Sequence, residues 1–218
     1  MDNLFKYTEH FLEKAQADSL FSFCSGLAFT EYPYRGKKLT RSPKAEFRKD
    51  GTVGAYRWGQ QIESQSWGVT SFPAALQDLY ERVGDEKVNH ILIIRYTHGT
   101  KHHIPYHSDK QEGVDGAGAK DIKAGTNIYN VVVCDQPRLF ELAEASKVDK
   151  STNEACETVF SCAVPHGSLL MLTADGNKAL KHRVRKDRDW QGCRYSIVMR
   201  CIKSQAEQPI GKKRKERE

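Results

Sequence analysis

No apolar run in this 218-residue chain approaches the roughly 20 residues needed to cross a bilayer, so no membrane-spanning helix is expected. A secretory hydrophobic segment is also missing, because Asp2, Lys6, Glu9 and Glu13 interrupt the first turns. An intracellular protein is the expectation. Six cysteines (Cys24, Cys134, Cys156, Cys162, Cys193 and Cys201) include no CxxC pair. That argues against a zinc-thiolate or disulfide framework, and the cysteines read as reduced, mostly buried small hydrophobes. No internal repeat is visible. With 39% hydrophobic and 28% charged residues, the composition is that of a globular chain rather than a disordered one. Its length suits one domain with a substantial core.

What is present is unevenly distributed. The net charge of +6 is concentrated at the end, where Gly211 to Glu218 hold five basic and two acidic residues. The run Lys212-Lys213-Arg214-Lys215 reads either as a nuclear address or nucleic-acid arm, or as a solvated disordered terminus. Near the start, Leu4, Phe5, Phe11, Leu12, Ala15 and Leu20 recur at helical spacing, so an amphipathic helix is expected within residues 3–24. Residues 30–60 interleave Tyr32, Tyr34, Phe47, Tyr56 and Trp58 with Arg35, Lys37, Lys38, Arg41, Lys44, Arg48, Lys49 and Arg57. Glycine and proline punctuate this stretch, which suggests short strands or hairpin flaps. Pro73 then opens a helix with Leu76, Leu79, Tyr80 and Val83 on one face and Gly84 at its end.

From Asn89 the texture becomes that of β-structure. Segments 90–96, 127–134, 137–142, 157–164, 168–173, 181–185 and 193–202 are short, rich in Val, Ile, Leu and aromatics, and bounded by turn residues. So many short strands in succession point to a sandwich or jelly roll rather than βαβ units. A long loop with four glycines, residues 111–126, interrupts them.

His107-Ser108-Asp109 lies just past a strand-like run. In extended chain, residues i and i+2 project to one side, so an imidazole and a carboxylate converge. A second imidazole from a distant strand would complete a facial two-histidine, one-carboxylate set, which leaves open positions and suits non-haem iron(II) oxygen chemistry. His182, 73 residues after Asp109, is the candidate. On its own the HxD triplet is weak, since the chain has eight histidines and His90, His98, His102 and His103 cluster nearby.

Twelve residues after His182 comes Arg194-Tyr195-Ser196-Ile197-Val198-Met199-Arg200. As a strand, it puts Arg194, Ser196, Val198 and Arg200 on one face and Tyr195, Ile197 and Met199 on the other. Two interior guanidinium groups need anionic partners, because an unpaired buried charge is costly. A dicarboxylate meets that need through charge-assisted, bidentate hydrogen bonds. The competing reading is a pair of arginines on an exposed sheet face, or paired with internal carboxylates.

Taken together, HxD, a distal His and RxSxxxR in that order resemble the AlkB family of iron(II)- and 2-oxoglutarate-dependent dioxygenases. The matching positions are His107, Asp109, His182, Arg194, Ser196 and Arg200. Ile91-Leu92-Ile93-Ile94-Arg95-Tyr96 is similar to the family strand whose closing tyrosine contacts 2-oxoglutarate, and Tyr96 takes that part. Looser similarity extends to Tyr56-Arg57-Trp58-Gly59 and to Trp67–Leu76, and the resemblance covers roughly residues 40–202. Departures exist. Ile94 stands where many members carry asparagine, Ser196 replaces the usual asparagine, and Val198 replaces threonine. Gln111 occupies a place where nucleic-acid demethylases often carry an acidic residue near the target base.

The resemblance implies an α+β, mainly β fold: a double-stranded β-helix (jelly-roll) core with N-terminal helices and a β-hairpin substrate lid. One dioxygenase domain would span 1–204, with helices and lid in 1–88, the jelly-roll core in 89–204 and a basic tail in 205–218. It further implies that His107, Asp109 and His182 hold Fe(2+) and that Arg194 and Tyr96 anchor the C5 carboxylate of 2-oxoglutarate. Ser196 and Arg200 would lie nearer the iron, and O2 completes the reactants. Tyr56, Arg57, Trp58 and Gln111 are the candidate substrate contacts. Asp109 favours hydroxylation over halogenation, because a halogenase gives up that carboxylate. The implied activity is demethylation or repair of alkylated bases in DNA or RNA by a monomer, the base being single-stranded or flipped out. Two other readings stand beside it: a 2-oxoglutarate-dependent hydroxylase of a protein side chain, nucleotide or small metabolite, and a non-enzymatic nucleic-acid-binding protein on the same fold.

Overall fold

A computed structural model describes residues 3–29, 44–49, 57–58, 61–62, 73–114 and 121–203. Its strands are β1 (Phe5–Thr8), β2 (Lys44–Arg48), β3 (Arg57–Trp58), β4 (Gln61–Ile62), β5 (His90–Tyr96), β6 (Ile104–His107), β7 (Ile128–Cys134), β8 (Arg138–Glu144), β9 (Phe160–Val164), β10 (Ser168–Leu172), β11 (Leu180–Val184) and β12 (Arg194–Arg200). Three helices accompany them: α1 (Lys14–Ser25), α2 (Ala74–Val83) and α3 (Ala174–Ala179). The strands form a six-stranded sheet in the order β1-β10-β7-β12-β5-β2, a four-stranded sheet in the order β6-β11-β8-β9, and the small pair β3-β4. Within them every strand pair is antiparallel. This is the mainly β, jelly-roll architecture that the run of short strands predicts.

The central strands of the large sheet are buried on both faces, which explains their nearly continuous apolar sequence. In β5, Ile91 and Ile93 join one core cluster while Leu92, Ile94 and Tyr96 join another. The same alternation divides Tyr129, Val131 and Val133 from Ile128, Val132 and Cys134 in β7. The first cluster lies under α1 and α2, whose buried residues are Ala17, Leu20 and Cys24 on one helix and Leu76 and Leu79 on the other. The second fills the space between the two sheets. Tyr195, Ile197 and Met199 of β12 therefore pack beneath the helices, and Arg194, Ser196, Val198 and Arg200 face the space between the sheets. All seven β12 residues are buried.

The sequence-based boundaries need correction at the N-terminus. Phe5, read as helical, lies in β1, which pairs with β10, and α1 starts only at Lys14 behind a Glu13–Gln16 capping box. Lys44–Arg48, in the stretch read as short strands or hairpin flaps, is β2, the edge strand beside β5. Its Phe47 enters the helix-side core and its Arg48 is buried, so these residues do not face a substrate. The helix after Pro73 runs as expected and ends on Gly84, whose φ of 68° is the left-handed conformation glycine adopts freely. A short hairpin, β3-β4, does occur where the lid was expected. Tyr56, the side chains of Arg57 and Trp58, loop residues 115–120 and the basic tail lie outside the described residues. All six cysteines are free. No described helix is long and apolar enough to cross a membrane.

Candidate active site

The metal-ligand candidates come from the small sheet. β11 pairs antiparallel with β6, and His182 is directly opposite His107. The register slips between His182 and Val184, a bulge of the kind that re-aims side chains near functional sites. The two imidazole rings lie 4.2 Å apart, centroid to centroid. With Asp109 they form a group whose ligand atoms all fall within 4.8 Å of one another. Among the described residues this is the one histidine, cysteine or carboxylate group able to hold a metal. The other histidines are accounted for differently: His102 is buried and its Nδ1 accepts from the Thr97 amide at 3.0 Å.

Asp109 does come beside His107 and His182, though not through extended strand geometry. β6 stops at His107, so extended geometry does not carry Asp109 to the site. Side chains from the turn before β11 do. The Asp109 amide donates to Asn177 Oδ1 at 2.9 Å, and Asn177 Nδ2 donates back to the Asp109 carbonyl at 3.1 Å and to Gln111 Oε1 at 3.1 Å. Ser108 Oγ donates to the Leu180 carbonyl at 3.0 Å. Asn153 does the same for the residue before His107: Tyr106 N–H donates to its Oδ1 at 2.7 Å, and its Nδ2 donates to the Tyr106 carbonyl at 3.0 Å. Each asparagine amide thus mimics a neighbouring strand where the sheet has run out. Neither has a spacing signature that would have marked it in the sequence.

The imidazoles are prepared for a cation. His107 Nδ1 lies 2.9 Å from the Pro105 carbonyl, which can only accept, so Nδ1 carries the proton and Nε2 presents a lone pair. Burial, reinforced by repulsion from His107, pushes the pKa of His182 down to about 3. The ring is therefore neutral, as metal ligation requires. Phe140 stacks beside it at 5.8 Å.

Across the cavity stands the large sheet. β12 pairs with β5 so that Arg194 faces Tyr96, Ser196 faces Ile94 and Arg200 faces His90. Arg194 is fully buried, and none of its three guanidinium nitrogens has a hydrogen-bond partner among the described residues. Its guanidinium lies 5.2 Å from the centre of the Tyr96 ring. Arg138, 5.6 Å from the same ring, is also buried, but it donates to the carbonyls of His102, Gly99 and Arg185. Burial holds both arginines below their ordinary pKa, and that of Arg138 falls to about 10. Arg138 was not singled out from the sequence; it supports Tyr96 from behind. Ser196 Oγ is buried without a partner as well. Arg200 Nη1 approaches Asp109 Oδ1 at 4.0 Å, which places this arginine at the metal end.

A cavity of about 70 Å³ separates the two sets and is lined by His107, Asp109, His182, Tyr96, Ser196 and Arg200 among apolar residues. Asn130 of β7 also lines it, with its buried Oδ1 unpartnered, another polar group that the sequence did not reveal. Gln111 does not line it. Its side-chain amide is turned inward, donating to the carbonyls of Lys123 and Thr126 at 2.9 and 2.8 Å. The position expected to meet a substrate instead ties the ends of the 111–126 loop together.

A guanidinium buried without an acceptor among the described residues is unfavourable unless an anion enters, and Arg194 lies beside Tyr96, which lines the same cavity as the metal-ligand group. The residues present therefore fit a divalent metal and a carboxylate-bearing co-substrate. An antiparallel double-stranded β-helix with such a pocket between its sheets defines the jelly-roll oxygenase class. The chain matches the 2OG-Fe(II) oxygenase superfamily over residues 5–200 and belongs to that superfamily. Comparison with curated protein sequences finds no match. Similar solved structures include a prolyl hydroxylase from Trichoplax adhaerens in complex with a hypoxia inducible factor peptide fragment, at 12% identity and TM-score 0.51, covering 92% of this chain and 84% of that one. HygX from Streptomyces hygroscopicus, with nickel and 2-oxoglutarate bound, gives 12% identity and TM-score 0.53, covering 91% and 82%. OsALKBH1 gives 13% identity and TM-score 0.50, covering 90% and 97%. At these identities the likeness is one of fold. The protein is a 2-oxoglutarate-dependent dioxygenase, an oxidoreductase that uses Fe(2+), 2-oxoglutarate and O2.

Proposed function

We propose that this dioxygenase demethylates alkylated bases in DNA or RNA, as the AlkB family does. The observation that carries the reading is the register of β5 and β12. It sets Tyr96 opposite Arg194 and Ser196 one step further in, the arrangement that the AlkB-like motifs imply for 2-oxoglutarate. The net charge of +6 supports a polyanionic partner.

In this reading His107, Asp109 and His182 hold the iron. Arg194, backed by the Tyr96 ring, holds the distal carboxylate of 2-oxoglutarate, while Ser196 and Arg200 serve the end nearer the metal. When bound, the metal and co-substrate supply the oxidising power: 2-oxoglutarate and O2 become succinate and carbon dioxide as one oxygen atom enters a substrate C–H bond. The protein's own work is to orient and to exclude water. Arg194 and Tyr96 fix one end of the diacid, and the apolar lining from Leu92, Ile128, Leu170 and Leu172 keeps the reacting volume dry. Hydroxylation of an N-methyl group gives a hemiaminal, whose N–C bond breaks to release formaldehyde and the N–H base.

The direct test is a panel of methylated single-stranded DNA and RNA oligonucleotides read by mass spectrometry, with succinate and formaldehyde measured in parallel. Loss of a methyl group matched by formaldehyde supports the proposal. Succinate formation with every oligonucleotide left intact points to the second reading, hydroxylation of a protein side chain, nucleotide or small metabolite. The inward-turned Gln111 favours that alternative, because it removes a polar group from the place where a target base would sit. No succinate under any condition would leave the binding-only reading.

A further inference from the structure

A row of buried polar side chains leads to Arg200, and its other members have no part in the chemistry described so far. Arg48, His90 and Arg200 are cross-strand neighbours at one level of β2, β5 and β12. Together with Glu46 they are nearly excluded from solvent, the most exposed showing 4% of its surface. Arg48 Nε donates to Glu46 Oε1 at 2.9 Å, and His90 Nε2 reaches the same oxygen at 2.9 Å. On the other side of the ring, Arg200 Nε donates to His90 Nδ1 at 3.1 Å. Arg200 Nη1 then lies 4.0 Å from Asp109 Oδ1.

The donors and acceptors fix the state of the middle group. Arginine can only donate, so His90 Nδ1 must present a lone pair and Nε2 must carry the proton. The Glu46 carboxylate is the acceptor that selects this tautomer. Three charged groups, Glu46, Arg48 and Arg200, around one neutral ring form a costly arrangement in a sheet interior. Apolar residues would stabilise the sheet at least as well, so the row is better explained by what stands at its end. Holding Nε fixes the plane of the Arg200 guanidinium and hence the direction in which Nη1 meets the carboxylate.

We propose that Glu46 and His90 are positioning residues that orient Arg200 against Asp109, setting the affinity of the site for its metal. The inference rests on the proposed metal triad, and outer groups of this kind commonly alter metal affinity by roughly 10–100-fold.

Two substitutions separate orientation from mere filling of space. His90→Asn keeps an acceptor where Nδ1 stood and loses the donor to Glu46, whereas His90→Gln keeps a donor where Nε2 stood and loses the acceptor. Mn(II) binding to the full chain is measured by calorimetry, with melting temperatures recorded alongside. His90→Asn should bind within about threefold of wild type, and His90→Gln should bind about tenfold or more weakly. His90→Phe, which loses both, should match or exceed that loss. If the phenylalanine variant does not fold, the Asn and Gln pair decides, since both are polar and smaller than the ring. Equal affinities in the two variants, or weakening that follows melting temperature alone, would overturn the proposal. A wild-type protein that binds no Mn(II), or a His107→Ala variant that binds it as well as wild type, would instead remove the triad on which it rests.

Discussion

Arg194 states the account at the scale of a residue. Its guanidinium, buried beside an aromatic ring and without an acceptor among the described residues, is held there by the rest of the strand rather than by hydrogen bonds of its own. Replacing it with an apolar side chain of similar length should leave the ligand-free protein as stable as before or more so, because burial of the charge is relieved. The same change removes the charge-assisted bonds to the co-substrate, about 1.5–3 kcal/mol. Arg194→Met is therefore expected to raise the KM for 2-oxoglutarate by about tenfold or more while the melting temperature holds or rises. A steady-state titration and a thermal melt of the same preparation check both halves. His107→Ala has a simpler outcome: succinate formation that depends on iron disappears while the far-ultraviolet circular dichroism spectrum stays that of the wild type.

Among the elements, the turn around α3 has the most concentrated role. Asn177 is fully buried and holds the backbone of Asp109 from both sides. Asn177→Ala takes the partner from the Asp109 amide, while the Asp109 carbonyl keeps the Gln111 amide, and should cost about 1–2 kcal/mol in a denaturant melt and weaken Mn(II) binding about tenfold. Gly176, next to it, sits so close to β1 that an added Cβ would lie 1.8 Å from the Leu4 carbonyl oxygen. Gly176→Ala should destabilise by about 2–3 kcal/mol for that reason alone.

These elements also show what the sequence could and could not disclose. β12 was legible because Arg194, Ser196 and Arg200 fall on alternate positions among apolar residues, and β5 because it is a short run of Ile and Leu closed by Tyr96. β1 was not, since Phe5 also fits the helical spacing of Phe11 and Leu12. β2 was left open between strand and flap by its charges: Glu46 and Arg48 are explained only once Glu46 is seen to meet His90 across the sheet. α3 has six residues and no apolar face, so no periodicity could mark it. Of the candidate site, the ligands and the two arginines could be read from residue type and order. The asparagines, His90 and Arg138 could not, because each acts through contacts distant in sequence.

For the whole molecule, the two sheets bring a metal-ready set and a cationic set to opposite walls of one cavity. His90 links this arrangement to pH. Burial, aided by the charges of Arg200 and Arg48 and opposed by Glu46, lowers its pKa from 6.5 to about 4. Between those values the unfolded chain binds a proton at this ring that the folded chain does not. Stability is thus complete above pH 6.5 and falls as the pH drops towards 4, by up to about 1.4 kcal/mol per pH unit from this group. Urea melts of metal-free protein across that range should show a shallower slope for His90→Asn than for wild type. Identical slopes would contradict the assignment.

The central claim is that the metal triad and Arg194, buried beside the Tyr96 ring that lines the same cavity, together hold a diacid. Titration of 2-oxoglutarate into the anaerobic Fe(II)-loaded protein tests it most directly. The account predicts one equivalent bound by wild type, none by His107→Ala, and affinity lowered about tenfold or more in Arg194→Met. Binding that survives both substitutions unchanged would contradict it.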